Sequence, residues 1–376
     1  MRGDAEAGSG STVVLHVLPR FNHGGASVVI SKLAGSMRRY GVVSMVGCTT
    51  VEWQDELHRA GIPWLRVNLY PTSVTSALAS FLQLSRIIDR HGIRLLHSHN
   101  RFSSLVTRAV AAYKNVSFVS TVHDLTTGSK QATRWACGHH VTVFSEAVAK
   151  HLMVSFGVSS ADITVVPMEV DARVVPAESL EGVKKTSDRA KPGCVAGFVG
   201  RLDDEKGADA IVRCAPAVIK AVPDATFWFI GDGPLRATLE AQATECGIGQ
   251  QVTFWGWRND VSDLSSCFDV AIFPSRREGF GLAVLEAMAL GKAVVVTNVG
   301  NLPDLVSHGQ TGLVVESGDA DALADSVIQL LRDPEGAHRM GAAARLMAQK
   351  RFAPDTMGRA MWAVYQKALA RTDESK

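Results

Sequence analysis

Residues Phe273 to Pro303 read FPSRREGFGLAVLEAMALGKAVVVTNVGNLP, and the fold is decided there. The apolar run from Val270 to Phe273 leads into the stretch, a second apolar run spans Ala293 to Thr297, and a helical pattern lies between them. The segment therefore reads as one βαβ unit. Glu278 ends the first loop and Glu286 follows eight residues later. At about 3.6 residues per turn, two further turns bring Glu286 back nearly to the azimuth of the helix start, so both carboxylates can address one ligand from different heights. Gly279 and Gly281 let the backbone approach a ligand closely, and the first helical amides, from Phe280 through Leu282 to Ala283, would point N–H groups at an anion. Such a stretch reads as a phosphate site with acidic hydrogen-bond acceptors beside it.

Outward from this unit, apolar strands alternate with helical segments along the whole chain. Cys194 to Val199 leads straight into GRLDDEKG, where Arg201 and Lys206 flank an acidic turn; at a strand end two such cations can neutralise a diphosphate. Phe227 to Ile230 is followed by the turn GDGP with Gly233, and Val252 to Gly256 by WRNDV with Arg258. Gly312 to Val315 is a last strand, and Asp319 and Asp321 after it fit an N-cap and a first-turn acid rather than metal ligands. In the first half, Thr12 to Leu18 runs into PRFNHGGAS, whose Gly24 and Gly25 allow backbone amides near a ligand at the carboxyl edge of a sheet. Val42 to Cys48, Trp64 to Val67, Leu95 to His99, Val141 to Ser145 and Ile163 to Pro167 read as further strands, an alternation that predicts parallel sheets. The helix from Ser76 to His91 reads as amphipathic, with Leu78, Phe81, Leu82, Ile87 and Ile88 facing the core. Two histidine clusters close strands: His97 with His99, and His123 with Asp124. Strand ends of open sheets face the ligand crevice, which makes all three histidines site candidates. No cysteine or carboxylate stands at ligand spacing from them, so no metal is assigned.

Bulk properties bound the reading. A chain of 376 residues, 46% hydrophobic and 20% charged, suits two globular domains. The opening MRGDAEAGSGS lacks a signal-peptide pattern and no run approaches the roughly 18 apolar residues of a membrane span, which predicts a cytoplasmic protein, at most held at the inner face of the membrane. Residues 1–170 carry 16 Lys and Arg against 10 Asp and Glu, and the remainder 23 against 27. That surplus in the first half fits an anionic acceptor or peripheral membrane contact, and equally a solvated surface; no nucleic-acid partner is expected. Six cysteines scattered without CxxC spacing read as buried thiols.

Taken together, EGFGLAVLEAMALGKAVVVT followed by GNLPDLV resembles the glutamate-x7-glutamate signature of retaining GT-B glycosyltransferases, specifically glycosyltransferase family 4. The resemblance implies two Rossmann-like parallel-sheet domains facing across a crevice: an acceptor-side domain of residues 1–171, a linker at 172–191, a nucleotide-sugar domain of 192–354, and a C-terminal helix, 355–376, returning to the first domain. It implies catalytic or sugar-contacting roles for His123, Arg201, Lys206 and Glu278. Donor-binding roles follow for Gly24, Gly25, Gly233, Arg258, Phe280, Gly281, Leu282 and Glu286, with Glu286 on the ribose and Glu278 on the sugar. Ser27 stands where the family often has a glutamate, and Met168-Glu169-Val170-Asp171 where it has Asn-Gly-Val-Asp. The implied activity is retaining transfer of a hexose or N-acetylhexosamine from a UDP-sugar, or from GDP-mannose, to a saccharide or lipid-linked acceptor in polysaccharide or glycolipid biosynthesis, without a metal or other cofactor. A UDP-N-acetylglucosamine epimerase and a non-catalytic sugar-nucleotide-binding subunit share the implied fold and stay open at this point.

Overall fold

Apolar runs rich in Val, Ile, Leu and Phe form two large parallel sheets, beside a small pair of two-residue strands, β2 with β4, in a computed structural model that describes residues 11–69, 74–170 and 193–373. The linker expected at residues 172–191 lies outside the described residues. The strands are β1 (Thr12–Val17), β2 (Arg20–Phe21), β3 (Val42–Cys48), β4 (Thr50–Val51), β5 (Trp64–Arg66), β6 (Ile93–Ser98), β7 (Ser117–Thr121), β8 (Val141–Val143) and β9 (Ile163–Val165) in the first half. They continue as β10 (Val195–Val199), β11 (Thr226–Ile230), β12 (Val252–Gly256), β13 (Val270–Phe273), β14 (Ala293–Thr297) and β15 (Gly312–Val315). The chain divides into two compact units, Met1–Met168 with Asp355–Lys376, and Glu169–Pro354.

In the first unit the sheet order is β5-β3-β1-β6-β7-β8-β9, and in the second β12-β11-β10-β13-β14-β15. Each chain segment lays its first strands outward to one side and then returns to the middle to build the other side. This is the doubly wound Rossmann arrangement, in which the winding reverses once and leaves a gap at the carboxyl ends of the two central strands. In the second unit that gap falls between β10 and β13, in the first between β1 and β6. Both central strands of the second sheet are buried at successive positions, β10 from Val195 to Phe198 and β13 from Val270 to Phe273, so both of their faces are covered. Such double burial is why these strands read as unbroken apolar runs rather than alternating ones.

Most predicted strand bounds stand within a residue or two, and the deviations have local causes. Val141–Val143 stops short because Ser145 turns away to cap the next helix, its Oγ accepting from the Val148 amide at 3.2 Å. Asp319 likewise caps the helix Ala320–Arg332, with Oδ1 accepting from the Ala322 amide at 2.9 Å. The last helix, Thr356–Asp373, packs on β7 and on the helix Gly25–Met37, and its fully buried Tyr365 reaches His97. Cys48, Cys137 and Cys214 are buried and Cys246 is exposed; all six thiols are free. Among the described residues no helix is long and apolar enough to cross a membrane.

The helix Val74–His91 corrects one expectation. Its core-facing side carries Ser80, Leu84 and Ile88, with Phe81 and Ile87 packed against the same core as expected, whereas Leu78 and Leu82 are 58% and 45% exposed. Two positions along a helix rotate by roughly 200°, so a stripe through 80, 84 and 88 necessarily turns 78 and 82 to the opposite side. Leu84→Ala should therefore cost about 2–5 kcal/mol of stability, the range for emptying a buried leucine site, while Leu82→Ala should stay within about 0.5 kcal/mol. Urea titration of both variants checks the difference; equal losses would contradict the assigned face.

Candidate active site

Two loops at the reversal point of the second sheet form the candidate site. The loop after β10 carries Arg201 to Gly207 and the loop after β13 carries Ser275 to Gly281. Lys206 Nζ donates to Glu278 Oε2 at 2.8 Å, and the two side chains are only 26% and 13% exposed. Ser275 Oγ approaches the same carboxylate oxygen at 3.4 Å. The Lys206 amide is fixed by Asp203 Oδ1 at 3.0 Å, while the more exposed Arg201 guanidinium bonds the Asp203 carboxylate. A cation and a carboxylate are thus held side by side where the fold leaves its ligand gap.

The loop after β13 is clamped from both sides. Arg276 makes a two-pronged pair with Asp209 at 2.8 and 2.6 Å, and Arg277 pairs with Glu205 at 3.2 Å, tying the loop to the acidic turn. Burial alone would raise the Asp209 pKa, but bonds from Arg276 and Arg213 outweigh it and hold the carboxyl below its ordinary value. From the other side, Thr297 Oγ1 donates to the Ser275 carbonyl at 2.6 Å and Asn301 Nδ2 to the Phe280 carbonyl at 3.0 Å. Gly300, at φ +54°, lies so close that a Cβ there would sit 1.8 Å from the Glu278 carbonyl oxygen, so no other residue fits. The motif NVGNLP, read in the sequence only as following the second strand, is the support for the Glu278 loop.

Gly281, in the left-handed region at φ +91°, starts the helix Leu282–Ala289 with no side-chain cap on its first amides. That leaves the N-terminal amides from Leu282 on as an anion-binding group beside Lys206 and Glu278. Phe280 is buried, stacking edge-on against Phe352 with ring centroids 5.9 Å apart, so its side chain anchors the loop and only its backbone can serve a ligand. Glu286 lies half-buried on the same helix. Gly233 belongs to a turn joined to the first loop through the Leu202 amide on the Asp232 carbonyl at 3.0 Å and the Leu235 amide on the Leu202 carbonyl at 3.0 Å. Arg258 closes a two-pronged pair with Asp260 at 2.8 and 2.6 Å, which raises its own pKa and lowers that of Asp260.

In the first unit, Gly24 caps and Gly25 opens the helix Gly25–Met37, with the Gly24 amide bonding Asn22 Oδ1 at 3.1 Å. Ser27 is buried and accepts from the Asn22 amide at 3.1 Å, so it serves the turn itself. The histidines depart from expectation. His97 and His99 are buried rather than lining a crevice, and His16, which the sequence reading passed over, joins them. The reason is register: His16 on β1 sits opposite His97 on the adjacent β6. His16 Nδ1 bonds His99 Nε2 at 3.0 Å and His99 Nδ1 bonds His123 Nε2 at 3.0 Å, while His97 bonds Tyr365 Oη and Thr121 Oγ1, each at 2.7 Å. Ring nitrogens of His16, His97 and His99 lie within 4.8 Å of one another, close enough for a metal ion, yet both nitrogens of His97 already have hydroxyl partners. An ion would have to displace those bonds.

Residues 23–174 match the family described as Glycosyltransferase Family 4, and residues 183–347 that described as Glycosyl transferases group 1. The chain belongs to glycosyltransferase family 4. It is similar to the N-acetyl-alpha-D-glucosaminyl L-malate synthase of Bacillus anthracis, 26% identical over 305 residues covering 73% of this chain and 74% of that one. It is also 33% identical over 229 residues to a GDP-mannose-dependent alpha-(1-6)-phosphatidylinositol monomannoside mannosyltransferase of Mycobacterium tuberculosis H37Rv, a match spanning 58% of this chain and 59% of the relative's length. The Anabaena protein Alr3699/HepE, solved with UDP and glucose, superimposes with a TM-score of 0.85 at 20% identity, over 95% of this chain and all of that one. This family member is thus a glycosyltransferase of GT-B fold, which sets the epimerase and the non-catalytic subunit aside.

Burial makes the histidine network sensitive to acid. It lowers the pKa of His16 to about 3 and of His123 to about 4, and holds His97 and His99 well below the usual value, helped by their neighbours. In the unfolded chain all four titrate near pH 6.5, so below that the unfolded state binds more protons and stability falls with pH. Each contributes up to about 1.4 kcal/mol per pH unit, a stabilisation fully present above about pH 6.5 and lost as pH drops toward the folded values. Thermal midpoints should fall steeply between about pH 6.5 and 4.5; a level profile across that window would contradict the neutral network.

Proposed function

We propose that the enzyme transfers a hexose or N-acetylhexosamine from a nucleotide diphosphate sugar, a UDP-sugar in preference to GDP-mannose, to a saccharide or lipid-linked acceptor, with retention at the anomeric carbon and without a metal. The observation that carries this is the Lys206–Glu278 pair at 2.8 Å, with Glu278 in the loop that leads into the uncapped start of the helix Leu282–Ala289. Lys206, Arg201 and those amides supply positive potential for a departing diphosphate, preorganised by the Asp203 bonds and the clamped loop. Glu278 supplies the adjacent acceptor for sugar hydroxyls, and Glu286, further along the helix, the acceptor for the ribose. His123, at a carboxyl end in the first unit, is assigned to the donor sugar. In this reading the retained face follows from acceptor attack on the side where the diphosphate leaves, with the leaving group taking up the acceptor proton. The GDP-mannose dependence of one relative and the N-acetylglucosaminyl transfer of another support a donor of this class. A lipid-linked or saccharide acceptor, a polysaccharide or glycolipid pathway and a place at the inner membrane face belong to the same proposal.

Removing one such charge-stabilising group lowers turnover by about a hundredfold or more. Lys206→Ala and Arg201→Ala are each expected to show that loss in kcat/KM with unchanged melting, and EDTA is expected to leave the wild-type rate alone. Rates within a few fold of wild type in both variants would remove the phosphate assignment, and loss in EDTA with recovery in manganese would remove the metal-free one.

The two glutamates divide differently. A charge-assisted hydrogen bond to the ribose is worth roughly 1.5–3 kcal/mol, about tenfold or more in Kd. Glu286→Ala should weaken free UDP by that factor in calorimetry, whereas Glu278→Ala should bind UDP normally and lose turnover of the intact donor. Equal weakening of UDP in both variants would place both carboxylates on the nucleotide.

A further inference from the structure

The run Ser44–His16–His99–His123, buried up to its half-buried last member, has a property that none of its members has alone. His16 Nε2 lies 3.4 Å from Ser44 Oγ, His16 Nδ1 3.0 Å from His99 Nε2, and His99 Nδ1 3.0 Å from His123 Nε2. Every link joins the Nδ1 of one ring to the Nε2 of the next. Burial keeps the rings uncharged near neutral pH, with His16 at about 3, His123 at about 4 and His99 well below its usual value, so each ring has one N–H and one lone pair. A ring in the opposite tautomer to its neighbour would set two hydrogens or two lone pairs against each other across 3.0 Å and forfeit that hydrogen bond. Only two arrangements satisfy both links: all three protonated on Nδ1, or all three on Nε2. Ser44 closes either one, because a hydroxyl both donates and accepts.

We infer that His16 and His99 are positioning residues for His123: the run makes the three imidazoles share one tautomer, so that the role of His123 Nδ1 toward a ligand hydroxyl is set jointly with the tautomers of His16 and His99. His123 is half-buried and steadied by Phe144, ring centroids 5.7 Å apart, and among the described residues its Nδ1 has no protein partner. In the Nδ1-protonated state that atom donates to a ligand; in the Nε2-protonated state it accepts. His97 takes no part, since its two nitrogens are bonded to Tyr365 and Thr121. The catalytic consequence rests on the placing of His123 against the donor sugar, but the lock between the three tautomers does not.

Two-bond proton–nitrogen correlation on the full chain, labelled with ring-15N histidine, reads the tautomers directly, using free enzyme at pH 7.5. His16, His99 and His123 are expected to share one tautomer. In His16→Leu the His123 signals should move toward a tautomer mixture and kcat/KM fall about tenfold with UDP affinity unchanged, the size of one lost hydrogen bond. His16→Asn, whose amide can replace Nδ1 in the bond to His99, should restore both. Opposite tautomers among the three, an imidazolium at this pH, an unmoved His123 signal in His16→Leu, or stoichiometric zinc shifting His16, His97 and His99 would each overturn the lock. The wild-type spectrum decides even if His16→Leu fails to fold. A changed His123 tautomer with full turnover would leave the lock standing and instead remove His123 from the donor sugar.

Discussion

Reversal of winding between β10 and β13 is the constraint on which the site depends. Parallel strands must be joined by crossovers over the faces of the sheet, and where the crossovers change side, two carboxyl-end loops are left with nothing above them. The chain places its cationic turn on one of these loops and its glutamate loop on the other. Lys206 and Glu278 are 72 positions apart in sequence and meet at 2.8 Å because β10 and β13 are hydrogen-bonded neighbours. A sheet of another order would carry the same motifs and not bring them together.

Polar groups in the two units meet burial in different ways. In the second unit the charges stay half-accessible and are paired, which limits desolvation while keeping the field strong. In the first, four histidines share a core with Tyr365, Thr121 and Thr142, and lose their charge instead. A buried neutral imidazole must find both a donor and an acceptor, so each histidine constrains the next. Tyr365 comes from the C-terminal helix, which makes that helix part of the network and not merely a cover for it.

The second unit was readable because its signals are local. Strand, turn and helix follow one another within GRLDDEKG and SRREGFGLAVLE, and glycine, capping and periodicity all report on neighbours in sequence. What escaped was long-range. Arg276 and Arg277 look like solvated loop residues until the fold brings Asp209 and Glu205 to them, and Asn301 looks like a turn residue until its amide meets the Phe280 carbonyl. His16 stands in an apolar strand with no motif around it; only the β1–β6 register, which no local pattern encodes, puts it opposite His97. The same limit explains the helix Val74–His91, where Leu78 and Leu82 have helical spacing but the sheet selects the stripe through Leu84 and Ile88.

The clamp around Glu278 shows why so much structure surrounds one carboxylate. A carboxylate next to an ammonium pairs with it directly, as Glu278 does with Lys206 at 2.8 Å, and a mobile loop would let its backbone drift with that pair. Arg276, Thr297, Asn301 and the close packing of Gly300 hold the backbone of that loop at four separate points, three of them through carbonyl or guanidinium bonds that do not involve the Glu278 side chain. In the proposed reaction the side chain exchanges Lys206 for a ligand while its Cα stays in place. Electrostatic stabilisation is strongest when the groups need not reorganise as charge develops. Loop rigidity is supplied by side chains that are not themselves assigned to the ligand, so that the few that are can change partners without moving the backbone.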